Sequence, residues 1–249
     1  MRRICVLLVC LIVLVACAQP SNAVHAAWGS ITLQPGANWV APPVIPFNSD
    51  PLSVFSGIDI NNNLTFFDSV HQKQIVYKSD DPETHWNILM GDGYTINNPG
   101  STPITCSFAG VDISDTPAWI SLPGSELGGG GMHWLGLPYP GNVSFADIIV
   151  TNGVEAQTIR EMAKDGTTWM DLTFYTWNAN TQTIETAGLG PGANTNYLRA
   201  GHMYKVQTYV SNLALILPPP YQPVPEPSSL AALACGLGLL GPFLRRRRH

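Results

Sequence analysis

Thr168–Trp177 reads TWMDLTFYTW, and this stretch decides the fold class. It is dense in β-branched and aromatic residues and has the two-residue period of a strand. Trp169, Asp171, Thr173, Tyr175 and Trp177 face one way, and Met170, Leu172, Phe174 and Thr176 the other. Working outward, similar runs recur at Gln74–Lys78, Ile104–Phe108, His202–Val210 and Leu213–Leu217. Gly, Pro, Asn, Thr and Ser punctuate the chain between them. Helical signals are few. Val154–Lys164 reads as one short helix ending before Asp165-Gly166. Asp50-Pro51 is suited to open another, because Asp caps and Pro fits the first turn. The body is therefore expected to be all-β, or at least β-dominated.

A diverged internal repeat organises these strands. Trp28, Ile31, Leu33 and Pro35-Gly36 precede Trp39 and Pro43, as Trp119, Ile120, Leu122 and Pro123-Gly124 precede Trp134 and Pro138. Trp39-xxx-Pro43 and Trp134-xxx-Pro138 share a spacing. Gly91-Asp92-Gly93-Tyr94 then matches Gly201-His202-Met203-Tyr204. The reading is two tandem β-sandwich-like modules, 27–112 and 119–217, joined by a linker at 113–118, with insertions such as SELGGGG in the second. The opening of each module weakly resembles β-sandwich modules of bacterial surface proteins, which begin near a Gly-Trp-Asn turn and end near Gly-Tyr-Trp. Here Gly36 and Trp39 are separated and no Trp follows Tyr94, so no functional residue carries across.

Charge and cysteine are partitioned between body and ends. Residues 27–220 hold six basic and sixteen acidic residues, a formal charge of −10. An acidic body repels phosphate backbones, which argues against a nucleic-acid partner. Cys106 is the one cysteine of the body, so an internal disulfide and a Cys-rich zinc site are both excluded there. It reads as a small buried hydrophobe.

The two ends read as export devices. Met1-Arg2-Arg3 followed by the apolar run Ile4–Ala18 has the layout of a signal peptide, 1–26, with small residues before cuts at Ala23 or Ala26; Ala26 is preferred. Leu14-Val15-Ala16-Cys17 offers a competing lipidation at Cys17. At the other end, a Pro-rich linker (218–227) leads to an apolar run, Ser228–Leu244, which would span about 25 Å as a helix. The basic tail 245–249 follows; its Arg245, Arg246, Arg247 and Arg248 favour the cytoplasmic side. This order, with Val224, Pro225, Glu226, Pro227 and Ser228 ahead of the apolar run, resembles the PEP-CTERM sorting signal of Gram-negative-type bacteria. The resemblance implies membrane anchoring, processing by exosortase, and delivery to the cell surface or an extracellular matrix. Signal peptidase, exosortase and the membrane are then the partners, with exopolysaccharide a further candidate in a biofilm setting.

Within the body no motif names a reaction. Gly128–Gly131 lacks the Lys-Ser/Thr of a phosphate loop and reads as a loop tip. His71, His85, His133 and His202 show no zinc spacing, and there is no Gly-x-Ser-x-Gly. Asp59, Asn61, Asn63, Asp80 and Asp81 cluster oxygens as weak calcium candidates. Glu126, Asp147, Glu155, Glu161, Asp171 and Glu185 supply carboxylates from which a glycosidase pair could be drawn. The expectation is a non-enzymatic surface or matrix protein, structural or adhesive, with no catalytic residue and no cofactor beyond the calcium candidates. The alternatives are a carbohydrate-binding module and a secreted polysaccharide hydrolase.

Overall fold

The short alternating runs form seventeen strands among residues 25–220, which the computed structural model describes, and the body is all-β. The apolar parity of each run dictates which side is buried. In β13 (Thr173–Asn178), Phe174 and Thr176 are buried while Tyr175 is exposed. The signal segment up to residue 24, Cys17, Val224–Ser228, the apolar run 228–244 and Arg245–Arg248 lie outside the described residues.

In the first part of the chain, β7 (Ile104–Asp112) pairs antiparallel with β1 (His25–Leu33) on one side and β3 (Ile45–Pro46) on the other. A second sheet runs β2 (Gly36–Val40), β6 (Tyr94–Asn98), β4 (Leu64–Asp68), β5 (Lys73–Val76). Ile31, Leu33, Leu64, Tyr94, Ile96 and Phe108 share one hydrophobic cluster with the thiol of Cys106, which is fully buried. In the second part, one sheet runs β12 (Ala156–Thr158), β11 (Ile149–Thr151), β17 (Leu213–Leu217), β8 (Ala118–Leu122). Another runs β14 (Thr183–Gly188), β13, β16 (Met203–Gln207), β9 (Met132–Gly136). A two-stranded ribbon joins β10 (Val143–Ser144) to β15 (Tyr197–Leu198). Ile120, Leu122, Leu135, Phe174, Tyr204 and Leu215 belong to the second cluster. Phe145 meets Phe174 edge-on there, centroids 4.9 Å apart.

The pairings recur in register. In β2–β6, Trp39 faces Thr95 and Val40 faces Tyr94. In β9–β16, Trp134 faces Lys205 and Leu135 faces Tyr204. The Tyr94 hydroxyl accepts a hydrogen bond from the Leu89 N–H at 3.2 Å, and the Tyr204 hydroxyl accepts one from the Arg199 N–H at 2.8 Å, each five residues back. The β4–β5 and β13–β14 hairpins also share one turn. Asp68 Oδ1 accepts from the N–H groups of Val70 and His71, and Asn178 Oδ1 from those of Asn180 and Thr181. Gln72 and Gln182 both adopt positive φ, 52° and 55°, and donate to the carbonyls of Ser69 and Ala179.

Helix is sparse, as expected, but one boundary differs. Asp50 caps α1 (Pro51–Val54) with Pro in its first turn. The helix expected over Val154–Lys164 is instead a turn, then β12, then α2 (Ile159–Asp165). Asn152 Oδ1 takes the N–H groups of Val154 and Glu155, closing a turn before any helix can start. Thr158 and Glu161 then form a capping box, and Gly166, in the left-handed region at φ 72°, ends the helix.

Candidate functional site

Trp39 and Trp134 point away from the two cores, so the outward faces of their sheets carry aromatic rings that need cover. They cover one another. Trp39 lies 6.3 Å from Trp177, whose indole Nε1 donates to the Ala37 carbonyl at 2.9 Å. Phe67 stacks on Trp134 at 5.3 Å, and the Gln72 amide accepts from the Met132 N–H at 2.8 Å and donates to its carbonyl at 3.2 Å. Val40 bridges to His202, and Leu135 bridges to Asp92. The Ala41 N–H donates to the Gly201 carbonyl and the Gly136 N–H to the Gly91 carbonyl. The Lys205 ammonium sits 4.0 Å from the Trp39 ring centroid and 4.6 Å from that of Trp134. Burial pushes its pKa down, a cost that cation–π attraction offsets.

Beside this seam lies a cleft of about 330 Å³. Trp39 and Trp177 supply its aromatic wall, and Thr32, Gln34, Asn178 and Asn180 its hydroxyl and amide groups. Arg199 and His202 line the far side. An adjoining recess of about 240 Å³ shares Ser30, Ala200 and Gly201 with it and ends at Trp28, which is 80% exposed. The charge in the cleft is contained. Arg199 pairs with Glu185, and Asn178 donates to the same carboxylate at 2.6 Å. Those hydrogen bonds, from Asn178 first and Arg199 second, hold the Glu185 carboxyl below the ordinary range. Burial, helped by the Arg199 charge, lowers the His202 imidazole to about 4, so it is neutral at pH 7. Arg199 Nε and His202 Nδ1 are shut from solvent without a hydrogen-bond partner. No protein-family model, curated protein or solved structure matches the chain.

On the other side of the seam, only about 40 Å³ is left between Phe67, Asp92, His133, Trp134 and their neighbours. Asp92 stands where His202 stands, two residues before the tyrosine. Burial lifts its carboxyl to about 7 against the hydrogen bond from Tyr94. His133 stands where Asn38 stands; its Nε2 meets Thr208 Oγ1 at 3.1 Å, and burial lowers it to about 4. Segment 123–131 lies against the neighbouring hairpin, its Glu126 N–H donating to the Val70 carbonyl at 3.0 Å. The glycine run is a loop tip only in its first half. A Cβ on Gly128 would meet nothing within 4 Å, but one on Gly130 would strike the Thr208 backbone and one on Gly131 the Gln72 amide.

The oxygens flagged for calcium serve turns. Asp59 Oδ1 accepts from the Asn61 N–H and Asn61 Oδ1 from the Ser79 N–H, both at 3.0 Å, while Asn63 Nδ2 donates to the Asp59 and Asn61 carbonyls. Asp81 Oδ1 caps the turn at Pro82–Thr84, and Asp80 beside it is exposed. Among the described residues, no three His, Cys, Asp or Glu side chains gather at one place. Most of the flagged carboxylates also have local partners. Glu126 lies 3.7 Å from His71, Asp147 pairs with Arg160 at 3.3 Å, Glu161 closes the capping box and Asp171 accepts from the Tyr209 hydroxyl. Glu155 enters the Asn152 turn through its backbone N–H. Of the six, only Glu185 borders the cleft, through Arg199. Sequence reasoning missed Trp177, Asn178 and Arg199 as cleft residues. The turn shared by Asp68–Gln72 and Asn178–Gln182 was the available signal, an Asx residue followed four positions later by Gln after an aromatic.

Proposed function

We propose that 27–112 and 119–217 are two copies of one β-sandwich module, locked face to face into a rigid head. The head is an exported surface or matrix protein with a structural or adhesive role, anchored and then processed through its C-terminal tail by exosortase. The observation that carries the architecture is the reciprocity of the seam. Val40 meets His202 and Leu135 meets Asp92, where Leu135 holds the register of Val40 and Asp92 that of His202. Contacts that map onto themselves when the halves are exchanged are the mark of a two-fold relation. Binding is favoured over hydrolysis by the cleft itself. A glycosidase needs two carboxyl groups facing the substrate, whereas the cleft walls offer indole, amide and hydroxyl groups, and the one bordering carboxylate is held by Arg199 and Asn178.

One intact-mass measurement on the mature protein from its host tests both ends. β1 begins at His25, and His25 and Ala26 pair with Asp112 and Val111. A cut after Ala26 would strip both pairs, so the expected mature chain begins at Val24, after the Ala23 cut. It should also lack the segment beyond the Pro-Glu-Pro motif, and Glu226→Ala should restore that mass. An unchanged mass in Glu226→Ala would refute sorting by the tail, and a lipidated Cys17 would refute the signal-peptidase cut.

A further inference from the structure

We infer that the open cleft and its adjoining recess bind a neutral polysaccharide, with sugar rings lying against Trp39–Trp177 and continuing toward Trp28. This gives the adhesive reading a ligand class and rests on it. Two observations carry the assignment. The aromatic wall is fixed before any ligand arrives, because the Trp177 indole N–H is tied to Ala37 and the Trp39 ring is backed by Lys205. Such rings match the C–H face of a pyranose at small entropic cost. The groove also extends beyond a single recess: the two recesses share Ser30 and Gly201, and Trp28 stands almost wholly in solvent beside the second. A chain can therefore lie along it, where a small enclosed ligand would want a closed pocket.

Charge selects the neutral class. Arg199 is already balanced by Glu185, and His202 is neutral at pH 7. The body around the cleft carries a formal charge of −10, which repels a polyanion. The pseudo-equivalent position supplies no second site, since Phe67 stacks flat on Trp134 there and leaves about 40 Å³. One head then holds one chain.

The test is affinity electrophoresis of the full chain in detergent through gels holding neutral polysaccharides (β-glucan, xylan, glucomannan, α-glucan) or the polyanions alginate and polygalacturonate. The reading expects retardation by at least one neutral gel, unchanged in about 0.5 M salt. Trp177→Ala should weaken it about tenfold or more. Because Trp177 also braces the seam, Trp28→Ala is the safer variant; it is exposed and should weaken retention severalfold with unchanged melting. Trp119→Ala, an exposed tryptophan outside the groove, should change nothing. Retention by no neutral gel overturns the inference, as does retention only by polyanions and only at low salt. Tight binding of a synthetic peptide of residues 218–227 without polysaccharide retention would overturn it in favour of the chain's own Pro-rich segment. The purified chain reports binding wherever it was made, so mislocalisation and loss of binding are read separately.

Discussion

Asp92→Asn should stabilise the protein, and by an amount that depends on pH. Asp92 lies at the seam, bridged to Leu135, and burial raises its carboxyl to about 7. An unfolded aspartate titrates near ~3.9. Below pH ~4 both states are neutral and the native state is at full advantage. Between ~4 and about 7 the unfolded chain ionises while the folded one holds its proton, so stability falls as pH rises. Above about 7 the loss is complete. Three pH units at ~1.4 kcal/mol each give roughly 4 kcal/mol. Asparagine keeps the shape and an acceptor for the Tyr94 hydroxyl without the charge. The variant should match wild type near pH 4 and exceed it by up to ~4 kcal/mol at pH 8, or about 8–16 °C in Tm for a chain of this size. Paired thermal melts from pH 4.5 to 8.5 check this. The difference between the two proteins cancels His133 and His202, which both prefer to be neutral and so lose stability as pH falls from ~6.5 through about 4. A pH-independent difference, or an asparagine variant less stable at pH 8, would refute the reasoning, because Asp92 would then be solvated and the seam open.

Gly136→Ala should destabilise by about 1–3 kcal/mol, since its Cβ would lie 2.6 Å from the Asp92 carbonyl oxygen and closer still to Ala41 Cβ. Gly190→Ala, with nothing within 4 Å, should stay within about 0.5 kcal/mol in the same denaturant titration. Tyr204→Phe strips the acceptor from the Arg199 N–H and should lower Tm by the equivalent of about 1–3 kcal/mol. An unchanged melt would show that the N–H finds water instead.

Much of the fold was legible because burial acts on local patterns. The two-residue period of Thr168–Trp177 announced the burial of Phe174 and Thr176, but the strand begins only at Thr173, and before it Trp169 and Leu172, expected on opposite faces, both pack on the same core; Asp50-Pro51 announced a cap. Trp39 and Trp134, and Tyr94 and Tyr204, could be matched from the sequence, and they hold like register, on β2–β6 and on β9–β16. The helix boundary at Val154 was misread because Asn152 competes for the backbone N–H groups that the helix would use. The cleft was hidden for a different reason. Trp177 and its acceptor Ala37 lie 140 residues apart, and only sheet packing brings them together. Arg199 likewise carries no local mark. Its place follows from the turn that the Tyr204 hydroxyl closes.

The seam is most directly tested by two engineered disulfides. The antiparallel bridges Val40–His202 and Leu135–Asp92 set paired Cα atoms about 4.5–5.5 Å apart, inside the ~4.4–6.8 Å that a disulfide spans. Val40→Cys with His202→Cys, and Leu135→Cys with Asp92→Cys, are each exported into an oxidising compartment, and free thiols are counted by mass after alkylation with and without reduction. Cys106, the native cysteine among the described residues, is buried, and the thiols of the parent chain are subtracted as the baseline. Two modules locked reciprocally require both pairs to close, each losing two thiols, with no closure in the single-cysteine variants. Closure of one pair without the other, or of neither, would contradict the account.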